Sequence, residues 1–486
     1  MICPLRLEVE KIHACRSDCI LYRGKEYKDL DKCPKCEAPL YKDVKNGSRT
    51  KGSPVKVAWY FPVLPRLERL FANAETAKLL RWHEEGRRKD KMLRHPAVGS
   101  DWRSIDFMFK KNFGYGARNI MFGLSTDGMN PFDMVRTNNS SWPMMICIYN
   151  LPPWLCMKRA YLQLAVMIQG PKQPGNDIDV YLEPLMDDLQ KLWNDGLTVW
   201  DEYTKKHYLV KGMLLNTITD LPGRGCLSGE ATKGYHGCVE CLDETVAKWL
   251  PNSNKMVYMG HHRGLLRHHP YRRDKESFDG TKEHRQLPKY RDRKQIFKEV
   301  SKLKVALGKG KEKVPAPAGS LWKKTSIFWK LSYWKHLTIC HSLDPMNITK
   351  NICASTLGTL LAMKGESKDS IKSRMDLEQM GVRPELHPIT LEDGTNKLPV
   401  ASWTISKGEK EKLLSFFDEL KVPTGYCANL KRLVNMKQLK LNISGMKAHD
   451  CHVTMTQLLP VALRGILPDK VHDPIIKLCS FFNAIS

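Results

Sequence analysis

Two apolar runs stand out along the chain, "NIMFGLSTDG" over residues 119–128 and "GMLLNTITDLPG" over 212–223. Between them lie "WPMMICIYNLPPW" and "LQLAVMIQGP". Short continuous apolar stretches bounded by Gly, Pro, Asn and Asp are the mark of strands buried on both faces, so the spacing predicts a buried sheet. "VYLEPLMDDLQKLWNDG" alternates apolar and polar residues with helical period and ends at glycine, which predicts an amphipathic helix packed on that sheet. Upstream, "VAWYFPVLPRLERLFANAETAKLLRWHEEGRRKDKMLRH" places Leu67, Leu70, Phe71 and Ala74 on one helical face, with many bases opposite. Downstream, "HSLDPMNITKN" reads as a helix start. Asp344 can cap exposed N–H groups and Pro345 suits the first turn, while Met346, Ile348, Ile352 and Leu357 predict a buried face running into "LGTLLAM". The pattern is α/β to about residue 225 and mainly helical after 331. Residues 225–330 between them are irregular and rich in His, Lys and Arg, ending in the linker-like "KGKEKVPAPAGS". Residues 1–55 are cysteine-bearing and loop-rich, close with "KNGSRTKGSP", and read as a small module. No repeat of fixed period is present.

Composition narrows the partners. The 486 residues suffice for roughly three domains, and 42% hydrophobic and 27% charged residues are ordinary for a soluble protein. The net charge of +26 is not ordinary. Such an excess draws polyanions by steering and counterion release, which makes nucleic acid the first partner to consider. Anionic membrane is the competitor. No apolar run reaches the ~20 residues of a membrane span, and "MICPLRLEVE" lacks the apolar core of a signal peptide. A soluble intracellular protein is expected, in which the 15 cysteines serve as thiols or zinc ligands rather than disulfides.

Three sets of residues carry candidate chemistry. Cys15, Cys19, Cys33 and Cys36 form C-x3-C followed by C-x2-C, a spacing that can set four thiolates around tetrahedral zinc, with His13 able to replace one of them. Cys238 and Cys241 form a second C-x2-C, followed by His261, His262, His268 and His269. Two of these histidines could complete a tetrahedron, or the loop could instead touch phosphate. From His261 to Val314 there are 17 Lys plus Arg against 7 Asp plus Glu, interleaved with aromatic and proline residues. A solvated face or an import signal would look similar, but Arg263, Arg272, Arg273, Arg291, Arg293 and Lys294 are the candidate DNA contacts. Finally, Asp127 and Asp220 each end an apolar strand. Acids at the ends of two core strands are what a two-metal phosphoryl-transfer site requires, because Mg²⁺ or Mn²⁺ prefers carboxylate oxygen. In "DGMNPF" and "DLPGRG" the same residues are also strong turn formers.

The stretch from "STDGMNPFDMVRTNNSSWPMM" through "QLAVMIQGPKQPGNDIDVYLEPLMDDLQKLW" and "DLPGRGCLSGEATKGYHGCVECLDE" closely resembles the En/Spm-type (CACTA) transposases of plant DNA transposons. The likeness continues in "MGHHRGLLRHHPYRR", "NICASTLGTLLAMKGESKDSIKSRMDLEQMG" and "HDCHVTMTQLLPVALRGILP". The resemblance implies a ribonuclease-H-like core with an Asp-Asp-Glu metal site, in which Asp127 stands at the first acid and Asp220 at the second. Cys238, Cys241, His261 and His269 then fall in a zinc-bearing insertion. The implied organisation is a zinc-ribbon-like module at 1–55, a basic helical segment at 56–115 and the first part of the core at 116–225. A basic Cys/His insertion at 226–330, helical completion of the core at 331–380 and a helical C-terminal region at 381–486 follow. Double-stranded DNA, including transposon terminal repeats, is the implied partner, the nucleus the implied compartment, and an oligomer is open.

One departure bears on activity. Members of the family usually read like "D-V-M-H-I-E-K-N" at the helix start, where this chain has Asp344, Pro345, Met346, Asn347, Ile348, Thr349, Lys350 and Asn351. In that alignment Asn347 replaces the histidine near the site and Thr349 replaces the third acid. Gln169, Gly264 and Leu266 also depart from the family pattern, and the end at "LCSFFNAIS" reads as a truncation inside an amphipathic helix. Three functions follow: a degenerate transposase-derived DNA-binding protein with impaired Mg²⁺-dependent cleavage, an active transposase with its third acid elsewhere, or a zinc-stabilised scaffold for protein partners.

Overall fold

A computed structural model describes residues 8–42, 52–90, 92–113, 116–131, 140–276, 278, 280–289, 291–308 and 314–485. The linker-like stretches "KNGSRTKGSP" and "KGKEKVPAPAGS" lie partly outside these residues, as does "PFDMVRTNN". The chain forms two compact units, one from residues 1–232 and 290–343, the other from 233–289 and 344–486. This division cuts through two sequence-derived segments. Residues 226–330 are shared between the units, and 331–380 is divided at 343/344.

The first unit is built on a mixed seven-stranded sheet. Its strands are β1 (Glu10–Ala14), β2 (Lys56–Tyr60), β3 (Ile120–Thr126), β4 (Trp142–Ile148), β5 (Gln163–Ile168), β8 (Gly212–Thr219) and β11 (His341–Leu343). Strands β6 (Leu197–Asp201) and β7 (Lys206–Val210) form a separate hairpin. The sheet order is β1-β2-β5-β4-β3-β8-β11. Strands β3, β4 and β5 make an antiparallel meander, and β8 adds parallel to β3. Strand β11, though only three residues long, adds parallel to β8 and so draws residues 290–343 back to this unit. The apolar runs that predicted strands are buried: Ile120, Met121, Phe122 and Leu124 of β3 lie against Met213 and Leu214 of β8 in one core.

The Ile178–Asn194 helix contributes Tyr181, Leu182, Leu185, Met186, Leu189 and Leu192 to this core at helical spacing. Its polar residues also hold neighbours. Asp188 accepts from the Tyr60 hydroxyl at 2.5 Å and from Val63 N at 2.9 Å. Asp179, almost fully buried, pairs with Lys324 at 2.5 Å and accepts from Ile327 N at 2.9 Å, so the buried charge is matched on both sides.

In the second unit, β9 (Val246–Leu250) and β10 (Lys255–Met259) form a hairpin. The turn of that hairpin is held by Asp376 of the Ile371–Met380 helix, which accepts from Asn252 N, Asn252 Nδ2 and Ser253 N, each at 3.0 Å. The Pro345–Leu360 helix buries Cys353, Leu357 and Leu360 in a core shared with Leu413, Leu414, Phe417, Leu459 and Phe482. Its first turn corrects the sequence reading, because Met346 and Ile348 are exposed and Thr349 is buried instead. The inward face is therefore Thr349, Cys353 and Leu357, spaced by four residues. Among the described residues no helix is long and apolar enough to cross a membrane.

Candidate functional site

Strand polarity fixes where the carboxylates sit. Because β3 and β8 are parallel, their C-terminal ends lie at the same edge of the sheet. The last paired step is Ser125 with Ile218, two residues before Asp127 and two before Asp220. The chain thus enters both acids from the same level of two strands about 4.8 Å apart. Asp127 is exposed, and its Oδ1 accepts from Gly128 N at 2.7 Å. Asp220 is half-buried and caps the Leu221–Ser228 helix, with Oδ1 accepting from Gly223 N at 2.7 Å. A side chain at residue 223 would collide with Thr219 Oγ1 at 2.2 Å and Asp220 Oδ1 at 2.8 Å, so only glycine lets the helix start this close to the acid. Capping occupies one oxygen. Asp220 Oδ2 has no protein partner among the described residues, and two carboxylates at one edge are the hard-oxygen donors that suit Mg²⁺.

The "DPMNITKN" stretch is a capped helix start, as its sequence suggests. Asp344 directly follows β11 and its Oδ1 accepts from Met346 N at 2.9 Å, while Oδ2 accepts from Asn347 Nδ2 at 2.9 Å. Thr349 turns its hydroxyl back onto the Pro345 carbonyl at 2.7 Å, the usual fate of a threonine inside a helix.

The N-terminal cysteines converge. The sulfurs of Cys15, Cys19, Cys33 and Cys36 all lie within 4.8 Å of one another, and Cys15 Sγ is 3.4 Å from Cys36 Sγ. Zinc–sulfur bonds of about 2.3 Å imply tetrahedral edges of about 3.8 Å, so this largely buried quartet of thiols can hold a structural zinc ion. Strand β1 leads directly into Cys15, and the knuckle to Cys19 turns at Asp18, whose φ of 58° is left-handed. Buried Asp18 pairs with Lys56 of β2 and accepts from the hydroxyl of Tyr181 on the Ile178–Asn194 helix. The cysteine module is therefore fastened to the sheet, not hung beside it. Close packing extends to Gly308, where a Cβ would stand 2.7 Å from Cys19 Sγ. Burial pushes the Cys15 thiol up. Burial also acts against ionisation of Cys36, but the Ala38 backbone and the thiols of Cys15, Cys33 and Cys19 outweigh it and leave Cys36 lowered.

A second group forms in the other unit from Cys238, Cys241 and His261, with ligand atoms within 4.8 Å of one another. Hairpin pairing explains it: Val246 opposite Met259 brings the chain just after Cys241 beside the chain just before His261. His269 is not in this group. Its Nδ1 accepts from Tyr271 N at 3.2 Å and caps the Pro270–Arg272 turn. His262 is also placed otherwise, stacked on Phe278 with ring centroids 4.4 Å apart.

The basic candidates divide by burial. Arg272 is buried, and its guanidinium donates to the carbonyls of Leu265 at 2.9 Å and Arg285 at 2.8 Å and also to that of Arg263, which removes it from any DNA-facing set. A buried guanidinium must satisfy its donors with local carbonyls. Arg263 pairs with Glu244 at 2.8 Å, Arg291 with Glu299 at 2.9 Å, and Arg293 donates to Thr338 O at 3.3 Å. Arg273 and Lys294 remain exposed. Sequence reasoning missed Asp18 as the residue fastening the cysteine knuckle. Its position inside C-x3-C was the available signal.

Residues 90–303 match the family model described as Transposase family tnp2, a span of less than half the chain that supports a transposase-type protein. No curated protein matches the chain.

Proposed function

We propose that the chain is a transposase-derived, DNA-binding protein of the En/Spm (CACTA) cut-and-paste type, with a ribonuclease-H-like core and impaired strand cleavage. The observation that carries this reading is the placement of Asp127 and Asp220 after neighbouring parallel strands at one sheet edge, within a stretch that matches a transposase family. The order β5-β4-β3-β8-β11 supports the core assignment, since a ribonuclease-H-like sheet is an antiparallel meander whose first strand is extended by two parallel ones. Asp127 and Asp220 would hold Mg²⁺ or Mn²⁺, which supplies Lewis-acid activation of a phosphodiester when bound. Thr349 stands where the resemblance expects the third carboxylate, and a neutral hydroxyl already bonded to Pro345 O is a poor ligand for a hard cation. Cation affinity is then weak and cleavage slow. The net charge of +26 supports DNA as the partner and the nucleus as the compartment.

Mn²⁺ titration followed by electron paramagnetic resonance tests the site. One weakly held ion is expected, lost in Asp127→Ala and in Asp220→Asn. Absence of binding, or binding indifferent to both substitutions, overturns the assignment. A duplex-binding measurement across salt concentrations tests the DNA reading separately, with a steep loss of affinity expected.

A further inference from the structure

On the first unit, at the sheet edge away from the acids, lies a cavity of about 410 Å³. Strands β3 and β4 are antiparallel, with Thr126 opposite Met144 and Phe122 opposite Ile148. The exit of β4, which leads into the Pro153–Cys156 turn and Trp154, is therefore about 17 Å along the strands from Asp127 at the exit of β3. The cavity belongs to a different surface from the carboxylates.

Its walls have a definite chemistry. Trp82 and Trp154 meet at a right-angled corner, with centroids 5.4 Å apart and planes at 82°. Trp82 is held from behind by His95, whose ring lies edge-on at 5.2 Å, and by Gly86, where any Cβ would sit 2.4 Å from the indole. Trp154 is 60% exposed, an unusual cost for so large an apolar ring. The remaining lining includes Arg87, Arg88 and Arg94 and not one carboxylate. Arg87 is anchored through Nε to His83 O at 2.9 Å, and Arg94 pairs with Asp90 at 2.5 Å. Arg88 is exposed and has no hydrogen-bond or ion-pair partner among the described residues.

A ligand that satisfies both features must be planar and apolar at one end and anionic at the other. We propose that this cavity takes an unpaired nucleotide of DNA, its base stacked in the Trp82–Trp154 corner and its phosphate on Arg88 and Arg87. A base inside a duplex has no free face to offer, whereas an unpaired base stacks on aromatic side chains regardless of sequence. The volume lies within the ~300–1,000 Å³ of small-ligand sites. The charged residues that line the cavity, Arg87, Arg88 and Arg94, are all cationic, which favours nucleic acid over a protein segment, since that would usually bring backbone and side chains of mixed polarity. The proposal rests on the DNA-binding reading above and adds a single-strand site to it.

The test is fluorescence anisotropy with the full chain, comparing an oligothymidine strand with a blunt duplex of equal length at one ionic strength. Trp154→Ala should weaken single-strand binding about tenfold, within the range found for loss of one base stack, and Trp154→Phe should retain most of it. Arg88→Ala should also weaken it. Duplex affinity should stay within about twofold in all three variants. Should Trp154→Ala fail to fold, Arg88→Ala and Trp154→Phe carry the comparison. Unchanged single-strand affinity in Trp154→Ala and Arg88→Ala overturns the nucleotide site while leaving duplex binding intact. Equal losses on both DNA forms reduce the cavity to a generally basic face and overturn it too. A wild-type chain that binds neither form overturns this site and the DNA-binding reading together.

Discussion

Replacing Asp18 with asparagine keeps the shape and the left-handed backbone of the cysteine knuckle, a conformation asparagine tolerates, but removes its charge. Asp18 is 1% exposed and is the ionic partner of Lys56, whose side chain is 11% exposed. Leaving one member of a buried pair without its partner typically costs ~3–5 kcal/mol. Two features moderate that here. The amide oxygen can still accept from the Tyr181 hydroxyl, and Lys56 keeps its position over the Tyr181 ring at 5.1 Å. The expected loss is therefore about 3 kcal/mol, which for a unit of this size is a fall in Tm of roughly 5 °C. Scanning calorimetry measures it, and chelator-induced release of zinc should be faster in the same variant because the Cys15–Cys19 knuckle loses its fastening. Asp18→Asn combined with Lys56→Met removes both charges and should recover most of the stability. A Tm unchanged by Asp18→Asn, or a double variant as unstable as the single one, refutes the claim that this pair fastens the module.

Burial pushes both His83 and His95 down to about 4 from 6.5. A lowered histidine pKa means the unfolded chain binds protons first, so stability present above about pH 6.5 drains away as pH falls toward 4, by up to ~3 kcal/mol for each ring. Tm measured from pH 7 to 4 should fall, and His83→Gln should flatten that slope. A slope unaltered by His83→Gln contradicts this. In the basic tract, Arg272→Ala should lower Tm with little change in the salt dependence of duplex binding, while Arg273→Ala with Lys294→Ala should reduce the salt slope by about 1–2 and leave Tm unchanged. The reverse pattern places Arg272 on a DNA face after all. Metal analysis of the purified chain should give about two Zn²⁺, falling by one in Cys33→Ala and by one in Cys238→Ala. A folded sample without zinc contradicts both cysteine groups.

How much of this was legible in the sequence depended on how local the signal was. Strands β3 and β8 are buried along nearly their whole length and β4 and β5 in large part, so all four appear as apolar runs, and the Ile178–Asn194 helix shows its period plainly. Asp344 as a cap and the cysteine quartet are likewise short-range patterns. Strands β1 and β2 were invisible because they read "EKIHA" and "KVAWY", with Trp59 and Glu10 on exposed positions. The three-residue β11 owes its existence to pairing with β8, a partner more than a hundred residues earlier, which no window of sequence displays. The same non-local contact groups residues 290–330, expected in the insertion, with the first unit. At the Pro345–Leu360 helix, apolar Met346 and Ile348 suggested a buried face, yet burial follows Thr349, Cys353 and Leu357, because packing chooses one face and polarity alone does not. Arg272 shows the converse: a charged residue in a basic run can be taken up entirely by local carbonyls. Its destination depends on the fold of the loop.

Mg²⁺-dependent nicking of a terminal-repeat duplex tests the central claim most directly, measured for the native chain, for Thr349→Glu with Asn347→His, and for that double variant carrying Asp127→Ala. Two remaining carboxylates predict cleavage near background in the native chain. The double variant should gain by about tenfold or more, which corresponds to recovering at least about 1.4 kcal/mol of barrier. Asp127→Ala should abolish the gain. Native nicking as fast as that of the double variant, with both activities lost on Asp127→Ala, would show a complete acidic site whose third ligand is not at Thr349, and would contradict the account of an impaired transposase.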